Sequence, residues 1–171
     1  HQGAFAIGFV RRHAPAMKKM KQLLGSGLIG QPRFANIDLM LGGYKRQPGD
    51  WFADFNRCGG AILDMLAHGI DLENWFFGEP ERVYADGLLL SPELPEPADY
   101  VSSTVTYRNR VICNISCGWQ RLGRSSDFLE IYGDEGSLAF KWGSDSLTHY
   151  PKGGEMREIV PELETDSPLC L

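Results

Sequence analysis

The sequence predicts an α+β domain, an open and mainly antiparallel β-sheet with helices packed on one face. Two helical stretches lie in the first half of the chain, and from about residue 82 onward runs of period-two alternation follow one another. Short turn signals separate those runs, among them Arg108-Asn109 and Gly133-Asp134-Glu135-Gly136. One set of alternate residues is apolar in several strands while the other set is mixed, so helices are expected on one face only.

Each element has a local reason. His1-Gln2-Gly3 reads as a tag remnant, and Ala4 to Val10 as a short buried strand with no partner before it. Pro15 suits a first helical turn, and the helix it opens should run to Leu24, stopped by Gly25 and Gly27. Pro32 to Leu41 alternates as a strand, with Ala35, Ile37, Leu39 and Leu41 on one face and Phe34, Asn36, Asp38 and Met40 on the other. The loop from Gly42 to Arg57 is long and aromatic, a composition that suits function better than disorder. A helix carrying Asp64 and His68 should end near Gly78, before Glu79-Pro80. Arg82 to Leu90 is a strand, and Ser91 to Pro97 a turn with three prolines. Tyr100 to Tyr107 and Arg110 to Cys117 form one hairpin, Phe128 to Tyr132 and Ser137 to Trp142 another. Val101, Val105 and Tyr107 share a face, as do Val111, Cys113, Ile115 and Cys117. Pro161 to Leu171 shows no element of its own, and the uncovered sheet face is open to a partner subunit.

Composition narrows the function. A chain of 171 residues with 43% hydrophobic and 23% charged residues is an ordinary globular domain. Its formal charge of −5 argues against nucleic acid as a main partner. Cys58, Cys113, Cys117 and Cys170 show no metal-ligand spacing, and Cys113 and Cys117 lie roughly 13 Å apart along one strand, too far for a disulfide. Reduced thiols in a cytoplasmic protein are the simpler expectation. No apolar run approaches membrane-spanning length, and no signal-peptide pattern is present.

Gly59 to Asp71 is the most informative stretch. A glycine pair opens an apolar helical run in which Asp64, His68 and Asp71 fall at i, i+4 and i+7, one stripe of a helix. A carboxylate one turn from an imidazole favours the imidazolium and orients the ring, properties that suit proton transfer near neutral pH. A structural ion pair has the same spacing, so the pattern alone leaves both roles open.

Four motifs in order resemble the C-terminal domain of the glucose–fructose oxidoreductase / inositol dehydrogenase / rhizopine-catabolism (Gfo/Idh/MocA) family. They are Gly8-Phe9-Val10-Arg11-Arg12-His13-Ala14-Pro15, Gly27-Leu28-Ile29-Gly30-Gln31-Pro32, Gly59 to Asp71 closing with Trp75 and Gly78, and Tyr132 to Leu138. The resemblance implies a domain that follows a dinucleotide-binding Rossmann domain and acts with NAD or NADP on a CH–OH group of a sugar, cyclitol or related polyol. By that resemblance His68 is the general acid/base, Asp64 orients or charge-matches it, and Asp71 is structural. Val10 and Arg11 would lie beside the cofactor, with Arg11 also near the substrate. Trp51, Arg57 and Trp119 are candidate substrate contacts, since aromatic stacking and arginine hydrogen bonds suit polyols.

Residues 1–12 are then expected to be a tag remnant plus the last strand of an absent dinucleotide-binding domain, and 13–171 a substrate-binding and oligomerisation domain. The chain has no G-x-G-x-x-G after a strand and no E-K-P motif, so it should be inactive alone. Two other readings stand beside this one: a non-catalytic binding or dimerisation module, and a metal-dependent hydrolase using Asp64 and His68. The second lacks an evident third ligand, and no metal is expected.

Overall fold

The structure, a computed structural model, describes residues 3, 6–40, 49, 51, 54–90, 99–119 and 126–162. Helix α1 spans Pro15–Gly25, α2 Phe55–Cys58 and α3 Ala67–Phe77. The strands are β1 Pro32–Met40, β2 Pro80–Leu88, β3 Tyr100–Tyr107, β4 Ile112–Gly118, β5 Ser126–Gly133, β6 Gly136–Lys141, β7 Leu147–Pro151 and β8 Arg157–Ile159. They form one sheet in the order β2-β3-β4-β1-β5-β6-β7-β8. The expected α+β class holds. The central pair β1 and β4 is parallel, Ala35 opposite Cys113, and every other pairing is antiparallel.

The alternation translates directly into burial. Ala35, Ile37 and Leu39, Val101, Val105 and Tyr107, and Cys113, Ile115 and Cys117 are all buried beneath the helices. Ala16, Met17 and Met20 of α1 and Leu72, Phe76 and Phe77 of α3 complete this core. Gly69 lets α3 lie close to the sheet, since a Cβ there would stand 3.1 Å from Leu39 Cδ1. The carbonyls at the end of α3 have no helical partners and need external donors. Lys21 Nζ donates to Trp75 O (2.5 Å) and Phe76 O (3.3 Å), and Asn109 Nδ2 to Phe77 O (3.1 Å). The opposite face carries Asn36, Asn114 and Thr104 in one register row, and among the described residues no helix covers it.

Three expectations change. Residues 6–9 form no strand, and Ala6, Ile7 and Gly8 are exposed, because among the described residues no strand lies beside them to pair with. The helix carrying Asp64 is not uniform: Ile62–Leu66 is a π turn that leads into α3. The long aromatic loop holds the short helix α2, while residues 41–48, 50, 52 and 53, like the expected proline-rich turn 91–97, lie outside the described residues.

Pairing of β1 with β5 shifts register between Pro32 and Phe34, opposite Gly133. A Cβ on Gly133 would sit 2.2 Å from Ile29 O and 3.1 Å from Gln31 O. Both obstacles are backbone, so no rotamer change relieves them. Gly133→Ala is expected to cost about 3 kcal/mol or more in denaturant unfolding, and a loss under about 0.5 kcal/mol would show that the turn yields.

Candidate active site

The carboxyl ends of the parallel strands β1 and β4 and the amino end of β5 meet at one end of the sheet, beside the π turn. Gly59 and Gly60 open this segment with φ of 71° and 66°, backbone that glycine adopts without strain. Leu63 folds back over Gly59, where a Cβ would lie 2.2 Å from Leu63 Cδ1. The end of β4 then fastens the turn at two points. Cys117 Sγ donates to Ala61 O (3.6 Å), and Trp119 Nε1 donates to Asp64 Oδ2 (3.3 Å). Burial and the neighbouring Asp64 carboxylate push the Cys117 thiol up to about 12, so it stays a protonated donor. π turns of this kind recur at functional sites.

The π winding breaks the even stripe of Asp64, His68 and Asp71, and each now meets a different neighbour. Asp64 is held by Trp119. His68 is half-buried, its ring edge-on to Phe9 with centroids 6.3 Å apart. Its Nδ1 is buried and has no hydrogen-bond partner among the described residues. Asp71 receives Arg12, whose Nε donates to Oδ2 (2.8 Å) while Nη2 reaches Oδ1. Phe9 itself takes a left-handed φ of 40°, just before the 3-10 turn Val10–His13.

Two consecutive arginines clamp this entering segment. Arg12 ties it to α3, and Arg11 ties it to β5 through Asp127, with Nη1–Oδ1 and Nη2–Oδ2 distances of 2.7 and 2.8 Å. The Arg11 guanidinium also stacks 4.2 Å above the Trp142 ring and is only 11% exposed. Arg11, expected at the cofactor and substrate, therefore has its donors directed at Asp127. Val10 is 68% exposed and free to meet another surface. Trp119, expected as a substrate contact, is 3% exposed; it offers no open ring face and instead holds Asp64. Trp51, before α2, and Arg57, within it, are exposed.

Two residues of this end carry no signal in the pattern. Asp38 accepts from Ser126 Oγ at Oδ2, while its Oδ1 is buried and without a hydrogen-bond partner, and burial raises its carboxyl above the usual range. Asp127 is the anchor of Arg11. Both depend on pairings between positions about ninety residues or more apart, which no local window contains. A groove of about 390 Å³ lies elsewhere, beside the start of α1, Phe140, Trp142 and Val160, and neither Asp64 nor His68 lines it. Among the described residues no cluster of three or more His, Cys, Asp or Glu is placed to hold a metal ion, and no helix is long and apolar enough to cross a membrane.

The fold is thus an open mixed sheet covered by helices on one face, with Asp38, Asp64 and Asp127 near the end where β1, β4 and β5 meet. The chain belongs to the Gfo/Idh/MocA family: the GFO/IDH/MocA C-terminal domain matches residues 17–139. An uncharacterized oxidoreductase of Synechocystis is 29% identical over 183 residues, covering 94% of this chain and 48% of that protein. A myo-inositol 2-dehydrogenase of Thermotoga maritima is 34% identical over 104 residues, 59% of this chain and 29% of that protein. An inositol dehydrogenase homolog of Azotobacter vinelandii, solved with NAD+, has the same fold, with a TM-score of 0.81 at 12% identity, covering 94% of this chain and 44% of that one. The chain thus spans less than half the length of these relatives.

Proposed function

We propose that this chain is the substrate-binding and catalytic half of an NAD(P)-dependent oxidoreductase acting on a CH–OH group of a sugar, cyclitol or related polyol. The observation that carries the reading is His68: a half-exposed imidazole whose buried Nδ1 has no partner among the described residues, on the helix that follows the π turn where Trp119 holds Asp64. Relatives named as inositol dehydrogenases support the substrate class, as does a structural neighbour named levoglucosan dehydrogenase and solved with NADH and levoglucosan.

The bound nicotinamide would supply hydride acceptance, and this chain's part is the proton. An alcohol carbon gives up hydride only as its hydroxyl proton is withdrawn, so His68 acts as the base on that hydroxyl and returns the proton in the reverse direction. Asp64 would orient the site from the turn before His68, and its position is set at the end of β4 by Trp119. The exposed Val10 fits one wall of a nicotinamide site, whereas the phosphate-binding turn belongs to a preceding dinucleotide domain. Arg11 and Arg12 serve by fixing the segment that enters from that domain. Trp51 and Arg57, both exposed, would offer a ring face and hydrogen-bond donors to a polyol.

The uncovered sheet face presents exposed Phe34 and Ile112 beside each other in register, which supports its use between subunits of a homo-oligomer. The free thiols Cys113 and Cys117 support a cytoplasmic setting. The deciding experiment uses the full-length parent protein with NAD and NADP and a panel of inositols and sugars, followed by cofactor absorbance. Reduction with at least one polyol, and none by the 171-residue chain alone, is expected. A full-length protein that binds neither nucleotide would overturn the reading in favour of a non-catalytic module.

A further inference from the structure

The two edges of the sheet are treated in opposite ways. The β8 edge is three residues long, and a very short edge strand offers little to pair with. The β2 edge is nine residues, Pro80–Leu88, exposed along its whole length. It carries large apolar groups, with Val83 60%, Tyr84 71% and Leu88 57% exposed. Among the described residues no strand pairs with its outer side. Pro80 blocks pairing only at the very end, and Glu81, Arg82 and Asp86 are the edge's charges, so the backbone groups between form a template for a strand whose charges match.

The charges on this edge have a particular symmetry. Arg82, Tyr84 and Asp86 pair with Thr106, Thr104 and Ser102 of β3, so all three point to the uncovered face of the sheet. Arg82 and Asp86 stand at equal steps on either side of Tyr84. An antiparallel copy of the same strand, related by a two-fold axis at Tyr84, would therefore set Arg82 opposite Asp86 of the second copy, and Asp86 opposite its Arg82. Tyr84 would face Tyr84, and Val83 would lie opposite Ala85 on the other side. Cross-strand pairs of opposite charge and of aromatic rings are both favourable, and a two-fold contact realises each twice.

We propose that β2 is a dimerisation edge, joining two copies of this chain through antiparallel β2–β2 pairing centred on Tyr84 into one continuous sheet. The strand is self-complementary in a way an unrelated peptide need not match, which points to a second copy as the occupant. The contact runs along the backbone edge of β2, with Arg82, Tyr84 and Asp86 on its open-face side, and it does not rest on the catalytic reading.

The test is cross-linking in the full chain. Tyr84→Cys places two thiols across the axis at the spacing of directly opposed strand residues, within disulfide reach. Under mild oxidation it should give a covalent dimer well above the unsubstituted chain, which controls for the native cysteines. Glu81→Cys lies opposite Gly87 in this register and should give none. Adding Arg82→Asp to Tyr84→Cys turns both charge pairs repulsive and should weaken association about tenfold, read as a matching shift in the concentration needed for cross-linking. Adding Asp86→Arg as well should restore it, with circular dichroism confirming that each variant is folded. Equal cross-linking by Glu81→Cys and Tyr84→Cys would overturn the register. No dimer from Tyr84→Cys, or one indifferent to Arg82→Asp, would overturn the edge contact itself, including the case in which copies meet only through the open face.

Discussion

Replacing Glu73 by glutamine is expected to abolish a pH-dependent loss of stability that reaches about 5 kcal/mol in the unsubstituted chain, order of magnitude. Glu73 lies on α3 with no exposed surface, against Tyr107 and Cys113 of β3 and β4. Its Oε1 is buried without a hydrogen-bond partner among the described residues, and burial pushes its carboxyl from 4.5 up to about 8. The Tyr107 hydroxyl donates to Glu73 Oε2 at 3.3 Å and lies 3.0 Å from Asn74 Oδ1, and its bond to the carboxylate offsets only part of the effect of burial.

The sign follows from comparing the folded and unfolded chains. Below about pH 4.5 both hold the proton and Glu73 contributes no pH dependence. Between about 4.5 and 8 the unfolded chain releases it while the folded chain keeps it, so stability falls by about 1.4 kcal/mol per unit. Above about 8 both have released it and the loss is complete. Glutamine has no such proton. The difference in unfolding free energy between Glu73→Gln and the unsubstituted chain should therefore widen from pH 4 to pH 9, in favour of glutamine. Parallel stability curves for the two proteins over that range would show that Glu73 ionises normally.

His68→Ala in the full-length protein is expected to lower kcat by about 10²–10⁴-fold, the usual contribution of a positioned acid/base, with nucleotide affinity unchanged. Trp119→Phe keeps the ring's bulk and deletes the donor to Asp64 Oδ2. Its effect should be smaller, about tenfold in kcat, because the carboxylate loses one charge-assisted bond and remains nearby. The split between kcat and KM separates this positioning role from substrate contact: a Trp119 that stacked on the sugar would raise KM instead. Full turnover in His68→Ala would remove the proton-transfer role and leave a binding or dimerisation module.

The parts of the fold legible in the sequence are those whose signal is local. Alternation in Ala35, Ile37 and Leu39 or Cys113, Ile115 and Cys117 marks a buried face because one strand residue in two must point inward. Pro15 and Gly78 bracket their helices through backbone limits of their own. The D-x-x-x-H spacing marks a helix, but regular helical geometry could not reveal the π turn, which Cys117 and Trp119 fasten at Ala61 and Asp64. Trp119 looked like a ligand-facing aromatic, since no local pattern separates a cleft indole from a buried donor. The parallel β1–β4 pairing was missed for the same reason: its partners lie 78 residues apart. Glu73 passed unnoticed inside an apolar helix run because only its neighbours from two other strands make it unusual.

That central pair has a kinetic consequence. Phe34 to Met40 must wait for Ile112 to Gly118 before either strand's inner edge is satisfied, and both α3 and the whole β2–β3 hairpin are threaded between them. Closing so large a loop is entropically slow, and sequence-distant contacts of this kind set the folding speed of a domain. The Trp119–Asp64 contact at the end of those strands can assemble only after that closure, so in a refolding time course the near-ultraviolet circular dichroism of the aromatic side chains should recover well behind helix content.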